Sequence, residues 1–266
     1  MENTNIRRSI VHMCHYSKSS HVGTCLSMVD ILYVLYYKIM HLDPANPTMA
    51  GRDKFILSKG HGGAALYATL AERGYFPKTY LDRYYVDGGI LPGHLDMEAV
   101  PGVEVSAGSL GHGLSIGIGM AIANQLDEDQ GHIYVLVGDG ECNEGSIWEA
   151  VMLASTLKLQ NLTVIIDYNQ LQSFGRTNEV INQENMSERW SSFGWDAIDI
   201  DGHNLQAIED AFKLPHKGPR AIIAHTVKGK GVSYMENKLE WHYKSPNDEQ
   251  LALALEELAL QELGEA

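Results

Sequence analysis

Cysteine is scarce in this 266-residue chain: Cys14, Cys25 and Cys142 form an odd set with no short pairing pattern. That argues against a disulfide framework and makes a reducing cytoplasm the expected compartment. Long apolar runs are also missing. No stretch approaches the ~20 apolar residues that span a bilayer, and the N-terminal MENTNIRRSI has no leader-length apolar segment behind its two arginines. A soluble protein with no membrane partner is expected. Bases are outnumbered, 20 against 34 acids, for a formal net charge of −14. Such a surface repels the phosphates of nucleic acids and anionic lipids, so no nucleic-acid partner is expected. No G-x-x-x-x-G-K-[ST] occurs, which closes the P-loop route to phosphate binding.

Hydrophobic residues make up 44% of the chain and charged residues 20%, an ordinary globular composition with length enough for one large α/β domain. "LSMVDILYVLYYKIM" (26–40) is apolar on most faces, as a buried helix would be, and "HLDPANPT" ends it with two prolines. "KFILS" is a short apolar piece leading into a glycine turn and a helix, "KGHGGAALYATLAERGY". Residues 86–113 are glycine-rich and loop-like, and a connection of that length in a compact domain is usually functional. Beyond it, helix and strand alternate: "LSIGIGMAIANQL", "HIYVLVG", "SIWEAVMLASTLK", "LTVIIDY", "ENMSERWSSFG", "DAIDI", "NLQAIEDAF", "RAIIAHTV". The strands read as continuous apolar runs, which predicts a doubly wound, mainly parallel α/β sheet with helices on both faces. The whole of 1–266 reads as a single domain. Its end, 247–263, is expected to be an amphipathic helix, either solvated or part of an interface.

"GDGE" follows directly on "HIYVLV", at the carboxyl end of a strand, where ligands of parallel sheets collect. Gly138 and Gly140 permit positive φ and close approach to the backbone. Ser146 and Glu149 form an S-x-x-E capping pattern, marking a helix start that attracts anions. A polar surface turn and a site for a metal-bound phosphate both fit this much. The next strand adds a second group. Twenty-eight residues separate Gly140 from Asn169, and a strand–helix–strand of that length sets one strand end beside the next. Asp139 and Asn169 would then offer a carboxylate and an amide oxygen to a cation, with the Leu171 carbonyl as a third ligand. Mg²⁺ commonly completes its octahedron with phosphate oxygens and water. Four histidines, His21, His61, His94 and His112, stand in or beside glycine-bearing turns, where imidazoles suit proton handling near neutral pH.

G-D-G, about thirty residues, then asparagine resembles the thiamine diphosphate fingerprint. "SKGHGGAALYATL", "PGVEVSAGSLGHGLSIGIGMAIA", "GDGECNEGSIWEA" and "HTVKGKGVSYMENKLEWH" resemble the amino-terminal half of transketolases over residues 20–245, in the short form where that half is a separate subunit. The resemblance implies thiamine diphosphate with Mg²⁺ (Ca²⁺ or Mn²⁺ as substitutes) held by Asp139, Asn169 and Leu171. Gly138, Gly140 and Glu141 border that site, and Gly108, Ser109 and Leu110 lie along the cofactor. His21, His61 and His94 line the donor channel, with His61 also against the cofactor, and His242 lies near the reacting carbon. Glu144 would reach the catalytic glutamate of a partner subunit, which carries the pyrimidine-binding domain in an α₂β₂ assembly. The implied substrates are ketoses or ketose phosphates and aldoses. Three residues depart from the family pattern beside the channel: Leu95, Ala107 and His112. The other histidines, His203 among them, read as structural or surface residues. Other readings are the α chain of a 2-oxo acid dehydrogenase, a deoxyxylulose phosphate synthase-like protein, or a non-catalytic interaction subunit.

Overall fold

Among the described residues five strands, all parallel, form one sheet: β1 (Lys54–Leu57), β2 (Ile133–Gly138), β3 (Leu162–Tyr168), β4 (Asp196–Asp201) and β5 (Arg220–His225). Their spatial order is β1-β2-β3-β5-β4. The structure, a computed structural model, describes residues 2–264. Every residue of β2 and β3 is buried, because alternate side chains enter two separate apolar layers. Tyr134, Leu136 and Ile165 join one layer, while Ile133, Val135, Val137, Val164 and Ile166 join the other.

The first layer is closed by helices α1 (Glu2–Tyr16), α2 (Val22–Ser27), α3 (Val29–Val34) and α4 (Gly63–Arg73). The second is closed by α5 (Gly113–Leu126) and α6 (Gly145–Leu157). A short turn of helix, α7 (Thr177–Val180), then leads to α8 (Met186–Ser192), whose Trp190 packs into the second layer. Helices α9 (Leu205–Lys213) and α10 (Asp248–Gly264) return to the first. Truncating one of these fully buried aliphatic side chains, such as Ile165, to alanine costs about 2–5 kcal/mol.

Three local expectations change. Strand β4 is not a continuous apolar run. It lies at the sheet edge, and Asp196, Asp199 and Asp201 reflect a half-exposed strand. The helix expected over 26–40 is broken at Met28 (φ −100, ψ 4) and ends in a wider π-helical turn, Leu35–Ile39. The final helix runs Asp248–Gly264 and packs on α1 through the buried Ala254 and Leu258, but leaves Leu253, Leu260 and Leu263 exposed. Residues 86–113 are mostly irregular, pinned to the first layer by the buried Leu91, Leu95, Val100 and Val103.

Candidate functional site

The register of β2 on β3 sets Gly138 opposite Asp167, so both strands end at the same level. Above the carboxyl ends of β1, β2, β3 and β5 opens a cavity of about 470 Å³. Its wall holds Asp139 and Asn169, as the sequence spacing predicts, together with His21, His61, His94 and His242.

Asp139 is 3% exposed. Oδ1 accepts from the Gly140 N–H at 2.8 Å, and Oδ2 accepts from the Gln170 N–H at 2.7 Å and the Thr177 hydroxyl at 2.8 Å. All three donors are neutral. Burial raises its pKa above the usual carboxylate range, against the pull of those hydrogen bonds. A buried carboxylate with only neutral donors is costly unless a cation completes it, so the residues present fit a metal. The neighbouring Asn169 accepts from the Leu171 N–H at 3.1 Å through Oδ1, and its Nδ2 donates to Asp167 Oδ2 at 3.1 Å. Among the described residues no group of three or more His, Cys, Asp or Glu converges to hold a metal. A carboxylate, an amide and a carbonyl is instead a sparse set that leaves positions for phosphate oxygens.

The glycines of the turn act through volume rather than dihedral freedom. Neither Gly138 nor Gly140 has positive φ; a Cβ on Gly140 would lie 3.0 Å from Gln172 Cγ. The expected capping pattern is also absent. Glu144 caps α6 by position, while the Ser146 hydroxyl donates to the Gly111 carbonyl at 3.0 Å. That bond ties the 108–111 loop to the helix start.

Two lysines escaped the sequence reading. Lys59, 1% exposed, follows β1 and donates to Asp167 and to the Thr24 hydroxyl (2.9 Å). Burial alone would raise the Asp167 pKa, but the Lys59 charge and the Ser27 and Thr226 hydroxyls outweigh it and hold the carboxyl below its usual value. Lys228, also 1% exposed, donates to the Leu171 carbonyl at 2.9 Å and meets His242 Nδ1 at 2.9 Å. Burial and then the Lys59 charge lower its pKa to about 8. Their sequence signal is a lysine beside glycine just beyond a parallel strand, in "SKGHG" and "VKGKG".

The four histidines form one cluster. Ring centroids of His21 lie 5.2 Å from His61, 6.3 Å from His94 and 5.1 Å from His242, with His61 to His242 at 5.9 Å. His21 is held in the left-handed region at φ 74, a strained conformation for a residue with a Cβ. Burial, then His94 and Lys228, lower the His21 pKa to about 4; burial, then Lys228 and His21, lower His242 to about 3. His61 falls well below its ordinary value, again through burial first and Lys59 second. These three imidazoles are neutral near pH 7. An ammonium only donates, so Lys228 makes His242 Nδ1 the acceptor and leaves the ring proton on Nε2.

The remaining expected residues divide. Gly108, Leu110, Gly138, Gly140 and Glu144 line the cavity. Glu141 borders it, but its carboxylate is taken by its own chain, accepting from the Gly111 N–H (2.8 Å), the Gly138 N–H (3.0 Å) and the Ser58 hydroxyl. Ser109 lies instead on a neighbouring depression of about 340 Å³, with Leu95, Ala107 and His112. Gly60 sits between Lys59 and His61 and packs on that same loop: a Cβ there would lie 2.5 Å from the Ala107 carbonyl oxygen.

Residues 3–262 match the family described as transketolase, thiamine diphosphate binding domain. An apulose-4-phosphate transketolase subunit from Phocaeicola vulgatus is 44% identical over 256 residues, covering 95% of this chain and 91% of that protein. A 6-deoxy-6-sulfo-D-fructose transketolase subunit from a Clostridium species is 44% identical over 242 residues, covering 90% and 88%. The crystal structure of transketolase from Campylobacter jejuni superimposes with a TM-score of 0.90 at 30% identity, covering 97% of this chain but 42% of that one. This chain therefore spans less than half of that solved transketolase, yet nearly the whole of the two relatives that are subunits. By sequence and fold together, the chain belongs to the transketolase family, as the thiamine diphosphate-binding part that those relatives carry as a separate polypeptide.

Proposed function

We propose that the chain is a single-domain, diphosphate-binding subunit of a two-component transketolase, moving a two-carbon ketol unit from a ketose donor to an aldose acceptor. The observation that carries this is Asp139, buried among neutral donors beside Asn169, in a cavity ringed by four histidines. Asp139, Asn169 and the Leu171 carbonyl would hold Mg²⁺, with Ca²⁺ or Mn²⁺ able to substitute. Lys228 would yield the carbonyl to the metal and turn to a diphosphate oxygen. Gly108 and Leu110 would lie along the cofactor. When bound, thiamine diphosphate supplies the electron sink that lets a carbon–carbon bond beside a carbonyl break and re-form.

The chain's own part is placement and proton movement. Neutral His21 and His61 can donate to and accept from sugar hydroxyls beside His94, and the Nε2 proton of His242 is available to a developing oxyanion. The two relatives named above carry a phosphorylated and a sulfonated sugar in their names. That supports a donor ketose bearing an anionic group.

A partner chain would supply the pyrimidine-binding domain and a catalytic glutamate facing Glu144, in an α₂β₂ assembly in the cytoplasm. The relatives' being named as subunits supports a partner. So does apolar surface that one chain leaves uncovered: Phe174 at the cavity mouth is 82% exposed, and Ile116, Met152, Leu153 and Leu157 on α5 and α6 are exposed too. Among the described residues no helix is long and apolar enough to cross a membrane.

Assay of the purified chain with and without its partner, against ketose phosphates and sulfonated ketoses, tests this reading. Ketol transfer is expected only from the pair with Mg²⁺ and thiamine diphosphate. Full activity from the chain alone, or none from the pair on any ketose, would refute it.

A further inference from the structure

Behind Lys228 lies a hydrogen-bonded network of Arg7, Asp30 and His203, none of which lines the cavity. Asp30 on α3 is gripped by Arg7 of α1 through Nη1 to Oδ1 at 3.1 Å and Nη2 to Oδ2 at 2.6 Å. Each of these side chains is 7% exposed. His203, in the turn between β4 and α9, adds its Nδ1 to Asp30 Oδ2 at 2.9 Å. On its other side the Val227 N–H reaches His203 Nε2 at 2.8 Å. A backbone N–H can only donate, so Nε2 is the acceptor and the ring proton sits on Nδ1, facing Asp30. Arg7 Nε meanwhile donates to the Lys230 carbonyl at 3.3 Å. The backbone is thus held immediately before Lys228 and two residues after it. The Gly229 N–H adds a bond to the Gly23 carbonyl at 2.8 Å.

We propose that His203 is a positioning residue for Lys228, with Asp30 and Arg7 fixing its tautomer and ring angle. The segment Thr226–Gly231 leaves the sheet at the end of β5 as irregular backbone. Among the described residues nothing but His203 accepts the Val227 N–H, and without it the ammonium would lose its fixed distance to the Leu171 carbonyl and His242. This rests on the cofactor reading above only in what Lys228 is placed to meet; the mechanical coupling stands apart from it.

The test uses the full chain and two readouts. In His203→Ala, amide hydrogen exchange of residues 226–230 is expected to accelerate by about tenfold, roughly the worth of one hydrogen bond, while β2 and β3 exchange as in the parent. Binding of inorganic pyrophosphate with Mg²⁺ is expected to weaken by a similar factor. His203→Gln, whose amide oxygen can still accept from Val227, should recover most of both. In a Lys228→Met background, His203→Ala should cost no further pyrophosphate affinity. Unchanged exchange at 226–230, or acceleration in step with the whole core, would overturn the proposal, as would an undiminished cost in the Lys228→Met background. If the parent binds no pyrophosphate, the cofactor reading fails instead, and the exchange pattern alone decides the His203 assignment.

Discussion

The two ends of the sheet both bury charge, but they use it differently. At the amino end, Arg220 at the start of β5 sends Nη1 to the carbonyls of Ala211 (2.8 Å) and Leu214 (2.6 Å) and Nη2 to Asp196 (2.6 Å). Asp53, just before β1, accepts the N–H groups of His41 (2.8 Å) and His132 (2.7 Å). Those bonds close loops onto strands. At the carboxyl end, Asp139 has neutral donors behind it and open space before it, and Lys228 sits at the same wall beside four imidazoles. Burial of a charge therefore does not mark a functional site. What marks one is a buried group whose partners satisfy it on one side only.

The largest effect that would test this contrast comes from Lys59→Met. It leaves Asp167, fully buried, without its cation, and should cost about 3–5 kcal/mol in urea denaturation. A loss under a kilocalorie would mean that Asp167 is held by its hydroxyl donors alone. Next comes Asp139→Ala. Thiamine diphosphate with Mg²⁺, at a hundredfold excess over Kd, should stabilise the parent by about 2.7 kcal/mol, and that gain should vanish in the variant. Equal thermal shifts in both would refute the proposal that Asp139 holds a metal. Arg220→Met sharpens the other side: about 2 kcal/mol of stability should go, the scale of hydrogen bonds from a charged donor, with the ligand-induced shift intact. A lost ligand response would show that the two ends are coupled.

The last test is a pH slope. Burial, with His216 second, lowers the folded His132 pKa to about 4 from an ordinary 6.5. The unfolded chain therefore binds the extra proton between those values, so stability is full above 6.5 and falls as pH drops towards 4. His132→Gln should flatten that fall in denaturation midpoints measured from pH 7 to 4.5. A slope identical to the parent's would assign it to the site histidines instead.

Much of this was legible in the residues. Continuous apolar runs gave away β2, β3 and β5 because both faces of those strands are covered, whereas the aspartates of β4 announce an edge that the same rule passed over. The spacing from Gly140 to Asn169 placed two groups of the site because a strand–helix–strand unit has few ways to close. Lys59 and Lys228 were missed since burial of a lysine depends on partners distant in sequence: Asp167 lies 108 residues from Lys59, and His242 lies 14 from Lys228. Ser146 misled for the same reason, its hydroxyl going to Gly111, 35 residues away, rather than to its own helix.

Gly60 has a consequence for mutational tolerance. It carries no functional group, yet a methyl there would drive into the Ala107 carbonyl while its neighbours on either side bear Lys59 and His61. In a saturation scan read out by ligand-induced stabilisation, position 60 should accept no other residue, alanine included. Position 88, with a positive φ but nothing within 4 Å of its would-be Cβ, should accept Asn with little loss. Two glycines of the same chain would thus show opposite fitness profiles, one set by the volume of a loop carbonyl and the other by a dihedral angle alone.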